Sequence, residues 1–401
     1  MDDSEFPTIA APPSTGFAVG SLGDYLGVPP GVADLESSAL PFRGVGLIFN
    51  EWYRDQDLVS ERVVDVGSGP DTTTSTTLPS IAWEKDMYTS ARPWEQKGPA
   101  ITIPLGTTAP VIAGGATGPS NTYGVFSTVA SGLREFQVNG TDINLGTGTP
   151  NYGLETDLSG ASAVTVNVLR EAMALQRYEE ARARYGSRYI EYLRYLGVRS
   201  SDARLQRPEY LGGGKQVIQF SEVVQTAEGT DPVGELRGHG ITAARSNRYR
   251  RFFEEHGYVH SFLSVRPKTI YAQGLPRTWN RRTKEDFWQQ ELQHIGQQEV
   301  LSKEVYADGT AGDDGTFGFQ DRYDEYRRQE SRVSGEFRDV LDYWHMARTF
   351  ASRPALNAAF VTANPTDRIY ASTTTDQLYV YVRHSIQARR LVAQTGRSYI
   401  F

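Results

Sequence analysis

Gly212-Gly213-Gly214-Lys215 invites a phosphate-loop reading, because glycines let backbone N–H groups close around an anion and lysine supplies charge. The spacing does not carry it. The position of the required outer glycine holds Glu209, and Gln216 stands where a Ser or Thr would meet magnesium. A tight turn feeding the strand at Gln216 is the reading the residues favour. His256 and His260 are four apart beside Glu254 and Glu255, a zinc-like spacing on a helix. Gly257 and the β-branched run after it predict a strand, where residues four apart stand about 13 Å from each other. Ordinary hydrogen bonding is then expected of both. Asp308 to Gly315 offers hard oxygen ligands of the kind calcium takes, but lacks the EF-hand order and its closing Glu. A solvated turn is the default there. The adjacent acids Glu179/Glu180, Glu254/Glu255 and Asp313/Asp314 need not converge on one cleft, and no Gly-x-Ser-x-Gly elbow occurs.

Two segments remain. Near the C-terminus Arg383, His384, Arg389, Arg390 and Arg397 interleave with Tyr379, Tyr381 and Tyr399. Such a patch could touch phosphates and stack on unpaired bases; the plain alternative is a strand whose charged face pairs with acidic neighbours. The block Ser201-Asp202-Ala203-Arg204-Leu205-Gln206-Arg207-Pro208-Glu209-Tyr210-Leu211-Gly212-Gly213 is rich in Arg and Tyr. It has no nucleophile, phosphate cradle or metal-ligand set. It joins a long helical pattern to a strand and looks built to hold backbone and neighbouring subunits in register.

The elements that must position these groups follow from periodicity. Residues 1–40 are rich in Pro, Gly and Ser and predict an extended arm needing a surface to lie against. Val45, Ile48, Phe49, Trp52 and Tyr53 recur on one face and predict a helix over 42–57. Thr72 to Thr77 is a loop. Ile101 to Leu105 alternates like an edge strand limited by Pro104. Residues 106–160, rich in Gly, Thr, Ser and Asn, read as a long surface insertion with brief alternation at 123–129 and 136–138. Ser162 to Leu196 predicts the best helix, with Val168, Ala172, Leu175, Tyr178, Tyr185, Tyr189 and Tyr192 at three- and four-residue steps and Gly186 as its interruption. Beyond Leu211 the character is β: strands are expected at 216–226, 258–272 and 378–392, with a short one at 332–340. Many strands with long excursions suggest a β-sandwich such as a jelly roll, with the helices lying in its loops.

Composition narrows the function classes. At 401 residues with no cysteine, the chain can bury a large core and forms no disulfide or thiolate-metal site. Its net charge of -7 argues against a dedicated nucleic-acid-binding domain. Only six of the 41 basic residues are Lys, and 22 Tyr and 17 Phe accompany the arginines. Arg and aromatics are enriched in interface cores where Lys is depleted, although a G+C-rich genome would also favour Arg. No run long enough for a transmembrane helix occurs, and the acidic start Met1-Asp2-Asp3-Ser4-Glu5 lacks the layout of a secretory signal. A soluble protein, initially cytosolic, is expected.

The block 201–213 closely resembles a signature of the major capsid proteins of microviruses, in the gokushovirus-like branch of small single-stranded DNA phages. Other segments resemble that family in order. They include Asn50-Glu51-Trp52-Tyr53-Arg54-Asp55-Gln56, then Asp86-Met87-Tyr88-Thr89-Ser90-Ala91-Arg92-Pro93-Trp94 with Gln96-Lys97-Gly98. Glu255-His256-Gly257-Tyr258, Val265-Arg266-Pro267 and Gln273-Gly274-Leu275 come next. Ile295-Gly296-Gln297-Gln298, Phe317-Gly318-Phe319-Gln320-Asp321-Arg322-Tyr323, Ser331-Arg332-Val333-Ser334-Gly335-Glu336-Phe337-Arg338 and Trp344-His345 complete the series. The matches span roughly 42–370.

The resemblance implies a mainly β chain: a single eight-stranded jelly-roll β-sandwich over 41–401 with long helix-containing loop insertions, 106–160 and 161–197, behind the N-terminal arm 1–40. Copies would tile a T = 1 icosahedral shell around single-stranded DNA. A small basic DNA-packaging protein, other minor phage proteins and a host surface receptor are the further partners implied, with assembly in the bacterial cytoplasm and residence in the virion. No enzymatic activity and no cofactor, metal or membrane insertion is expected. Region 106–160 is short beside the protruding insertion many gokushoviruses carry, so threefold spikes do not follow. Arg204, Arg207, Glu209, Tyr210, Trp52, Arg54 and Trp94 are the expected subunit-interface residues, and Arg383, Arg389, Arg390 and Arg397 the expected nucleic-acid contacts. A carbohydrate-binding β-sandwich for host-surface attachment is the alternative, and a glycoside hydrolase a third class.

Overall fold

The structure is a computed structural model that describes residues 6–101, 166–186, 188–202, 204–221, 229, 239–374 and 376–391, with the backbone of four short strands between 125 and 145. The chain divides into two compact units, 94–199 and the remainder on either side of it. The calls on 102–124 and on most of 106–160 lie outside the described residues, as does Arg397.

Residues expected as an arm find their surface on their own chain. Strand β1 (Thr8–Ala10) pairs antiparallel with β2 (Glu36–Ser38), Ile9 opposite Ser37. Between them helix α1 (Leu22–Tyr25) starts where Ser21 Oγ accepts the Asp24 amide and the Asp24 carboxylate accepts the Gly20 amide. Both strands and α1 close over helix α2 (Leu40–Ile48), burying Ile9, Phe17, Leu22, Ala39, Phe42 and Val45 in one cluster. The Phe17 and Phe42 rings stack at 5.6 Å, and a Cβ at Gly23 would overlap the Phe17 ring.

Helix α2 continues as one π-helical turn, Phe49–Tyr53, in which the Arg54 amide reaches back to the Phe49 carbonyl at 3.0 Å. The predicted helix over 42–57 therefore stops at Tyr53. Its stop is chemical: the Asp55 carboxylate accepts the amides of Asp57 and Leu58, which a continuing helix would have directed to its own carbonyls. Beneath α2, Arg43 is almost fully buried, with its side chain 6% exposed against 0% for Asp71. Its Nε donates to Asp71 at 2.7 Å and Nη1 to the Gly67 carbonyl at 2.9 Å, with Asp65 3.6 Å away. Asp71 also accepts the Thr74 hydroxyl and the amides of Thr73 and Thr74. Burial opposes its ionisation, but these hydrogen bonds and that of Arg43 outweigh it and hold the carboxyl at about 2.

In the unit 94–199, strands β3 (Val125–Ser127) and β4 (Gly132–Arg134) pair antiparallel, as do β5 (Phe136–Asn139) and β6 (Asp142–Leu145). Helix α3 (Val166–Tyr185) ends at Gly186, whose φ of +94° is a left-handed stop, and α4 (Tyr189–Tyr195) follows. The interruption falls where the sequence predicts it. The rings of Tyr185 and Tyr195 meet at 5.4 Å across the break.

The larger unit continues with β7 (Gln219–Ser221) and β8 (His239–Ile241), an antiparallel pair with Gln219 opposite Ile241. Strand β9 (Gln297–Leu301) leads through helix α5 (Ser302–Val305) to β10 (Thr316–Asp321), again antiparallel, with a bulge between Thr316 and Gly318. These two cover a second core with helix α6 (Ala358–Val361) and the turn at 86–91: Met87, Tyr88, Tyr271, Val300, Phe317 and Phe360 are its main members. Tyr88 meets Tyr271 edge to face at 4.8 Å, and Arg92 and Phe319 exchange both backbone hydrogen bonds. Burial raises the phenol pKa of both tyrosines, so their hydroxyls stay neutral: Tyr271 donates to Asp86 at 2.8 Å, and Tyr88 accepts from Arg332 at 3.0 Å.

Three strand expectations change. Residues 332–340 hold a 3-10 turn, Gly335–Arg338, because Gly335 takes φ +66° and the Leu341 amide closes on Glu336. Residues 258–272 make no ladder beyond isolated bridges at Tyr271, and 378–391 make none among the described residues. A period-2 pattern specifies a strand only when a neighbour supplies the hydrogen bonds.

Candidate assembly surface

The block 201–213 begins as a turn. The amides of Leu205 and Arg207 both reach the Asp202 carbonyl, and Gln206 takes a left-handed φ of +51°. That reversal brings the Arg207 side chain back over its own turn, where it is 9% exposed. Its Nε lies 3.3 Å from Asp202 and 3.7 Å from Glu51, and the guanidinium sits 4.4 Å from the Trp52 ring centre. Trp52 is held from both sides: its indole N–H donates to the Pro208 carbonyl at 3.1 Å, and its ring lies 5.8 Å from that of Tyr210. The π-helical turn after α2 supplies Glu51 and Trp52 together, so helix and block are fastened by one cation between a carboxylate pair and a ring.

From Glu209 the block runs beside the chain leaving β8. The Thr242 hydroxyl donates to the Val217 carbonyl, the Asn247 amide to Gly213, and Arg251 pairs with Glu209 at 2.9 Å. The Asn247–Gly213 bond and the Arg251–Glu209 pair keep the two segments side by side beyond the paired strands β7 and β8. The glycines belong to this approach: a Cβ at Gly214 would overlap the Arg245 carbonyl oxygen, and Gly212 has φ +154°. Lys215 pairs with Glu84 at 2.7 Å. The triple glycine is thus a close backbone contact.

Of the residues expected at a subunit interface, the structure brings together Trp52, Arg207, Glu209 and Tyr210. Arg207 is a brace within the chain, whereas Tyr210, 63% exposed, and Arg204 face solvent. Arg54 turns inward: its guanidinium donates to the carbonyls of Gln56 and Val59 and pairs with Glu61 at 2.7 Å. Trp94 belongs to the other unit, where Lys97 Nζ stands 5.4 Å from its ring. Arg383, Arg389 and Arg390 are exposed, beside Tyr379 at 94%. Sequence reasoning left Glu51, Asp202 and Arg251 out of the expected interface set; each is the charge partner of an expected residue, and Glu51 and Asp202 lie within motifs already quoted.

The candidate chemical groups resolve differently. The acidic loop holds a 3-10 turn, Ala311–Asp314, and Arg353 fills it, pairing with Asp308 at 2.7 Å and Asp313 at 2.8 Å. Among the described residues no group of three or more His, Asp or Glu is placed to hold a metal, and no helix is long and apolar enough to cross a membrane. His260 lies between the rings of Tyr258 and Phe262, and its burial lowers the imidazole pKa. Large apolar side chains stand exposed in many places, Phe252 at 82% and Tyr379 among them, as surfaces destined for partners do.

The sequence matches the family described as Capsid protein (F protein) over residues 1–400. The chain belongs to that family. Capsid protein VP1 of Bdellovibrio phage phiMH2K is 40% identical over 399 residues, covering 93% of this chain and 74% of the relative. Capsid protein VP1 of Chlamydia phage 1 is 31% identical over 446 residues (90% and 74%), and that of Spiroplasma virus 4 is 33% identical over 418 (93% and 75%). A capsid protein acts by meeting other copies in a shell.

Proposed function

We propose that this capsid protein is the principal shell tile of a small icosahedral (T = 1) particle enclosing circular single-stranded DNA, and that it has no catalytic role. The observation that carries the reading is the family match from residue 1 to 400, with three phage capsid relatives aligned over nine-tenths of the chain. The exposed aromatic and aliphatic side chains of 249–265 and 378–391 support it, because such segments need a second surface to complete them. An eight-stranded jelly roll closed by those segments, a small basic packaging protein, minor phage proteins, a host receptor and assembly in the bacterial cytoplasm complete the proposal.

Within that reading Arg207 positions the contact and Arg204 and Tyr210 make it. Arg204→Ala should leave the subunit folded, with an unchanged thermal transition, and lower particle yield at least several-fold, since charged contacts in a repeated interface are lost in every copy. Light scattering and negative-stain microscopy of expressed protein read this directly. Wild-type chain that remains a freely diffusing subunit would overturn the tile reading; normal yield of R204A particles would overturn the assignment of Arg204.

A further inference from the structure

The sequence contains two Asp–Gly dipeptides, Asp308-Gly309 and Asp314-Gly315, and both lie between α5 and β10. Such a dipeptide is intrinsically prone to isomerise, because glycine puts no side chain between its own nitrogen and the preceding carboxyl carbon. Attack by that nitrogen closes a five-membered imide and expels water. Water then reopens one of the two imide carbonyls, restoring aspartate or leaving isoaspartate, with no net gain or loss of atoms. Gly309 offers an open approach: no heavy atom lies within 4 Å of where its Cβ would stand. The Asp308 side chain is 32% exposed, so water reaches it.

The folded loop sets every group against that reaction. The Gly309 amide, the nucleophile, donates to Asp313 at 2.9 Å. One nitrogen of Arg353, Nη2, lies 2.7 Å from Asp308 and 2.8 Å from Asp313, so a single guanidinium fixes both the electrophile and the acceptor that occupies the nucleophile. The Thr310 hydroxyl and amide donate to the same Asp308 oxygen at 2.7 and 3.0 Å. Those two bonds, and after them the Arg353 charge, hold the Asp308 carboxyl below its ordinary value; an ionised carboxylate resists attack that the neutral acid admits. Gly312 makes room for the guanidinium, since a Cβ there would stand 1.8 Å from Arg353 Nη1. The second dipeptide is held by other groups: Asp314 pairs with Lys303 at 2.5 Å, and the Gly315 amide donates to the Gly312 carbonyl.

We infer that Asp308 is a latent isoaspartate site, kept unreacted by Arg353 and freed to cyclise with Gly309 when the guanidinium leaves the loop. Isomerisation there adds a carbon to the main chain and moves the carboxylate away from the Thr310 amide, so an opened loop does not return to its original form. The inference concerns the single chain and stands whether or not copies assemble.

The test ages purified full-length chain for weeks at neutral pH, folded and in urea. Isoaspartate is located by electron-transfer fragmentation of the tryptic peptide Glu304–Arg322, which holds both dipeptides. In urea both Asp308 and Asp314 should isomerise, and the folded wild type should be at least about tenfold slower at Asp308, because only the open loop reacts. R353Q removes two partly exposed ion pairs and should speed isomerisation at Asp308 about tenfold while Asp314 keeps the wild-type rate. G312A should do the same with every charge intact, by pushing the guanidinium out of the loop. A wild type that isomerises at Asp308 as fast folded as unfolded overturns the inference, as does an Asp308 that stays unreacted in urea. So does an unchanged rate in folded R353Q, or an equal rise at Asp314, which would mean that the whole turn had loosened. Should R353Q not fold, by its thermal transition, G312A carries the same comparison.

Discussion

Asp71→Asn removes one negative charge from beneath α2 while keeping the shape of the side chain. The wild-type carboxyl stands at about 2 against an ordinary 3.8. At 1.36 kcal/mol per unit, that difference is worth about 2 kcal/mol of folding free energy. Arg43 would keep the Gly67 carbonyl at 2.9 Å and Asp65 at 3.6 Å, so its charge would not be left wholly uncompensated and the loss should stay near that figure. The sign follows from the depressed value: stabilisation is complete above pH 3.8 and disappears as pH falls through about 2. Urea unfolding of the unassembled chain, wild type against variant, should show a gap of about 2 kcal/mol at pH 6 that narrows below pH 4 and closes near pH 2. A gap that persists undiminished at pH 2, or none at pH 6, would refute the account of the Arg43–Asp71 tie.

Arg207→Lys should preserve charge but lose the planar face over Trp52, costing about 1 kcal/mol and shifting the indole emission of Trp52 to the red; unaltered fluorescence and stability would show that the stack does not hold the block. Gly274→Ala places a Cβ on the Glu304 carbonyl oxygen, where the backbones of two segments meet, and should lower stability by roughly 1–3 kcal/mol in the same denaturation assay. A neutral result there would mean that the two segments part easily.

Local signals were legible. The break at Gly186 and the start of α2 follow from glycine, periodicity and proline within a few residues, and the structure places them where those signals lie. The Arg/Tyr block also stood out, yet its meaning did not: Trp52 and Pro208 are 156 residues apart, and nothing in the block names its partner. The partner of the segment after it was hidden for the same reason, since alternation near Gln216 says a strand exists but not that Asn247 lies beside Gly213. The expectation of a ladder at 332–340 failed because Gly335 bends the backbone, a local signal that the apolar alternation around it outweighed in the reading. Charge told part of the story: a chain acidic in total still gathers four arginines between residues 245 and 251.

The acidic loop at 308–315 carries its counter-ion on a tether. A guanidinium joined to the backbone at Arg353 does not dissociate, is not sequestered by chelators and does not depend on the ion content of the medium. Asp308 and Asp313 therefore have their counter-charge in place whatever the calcium content of the surroundings.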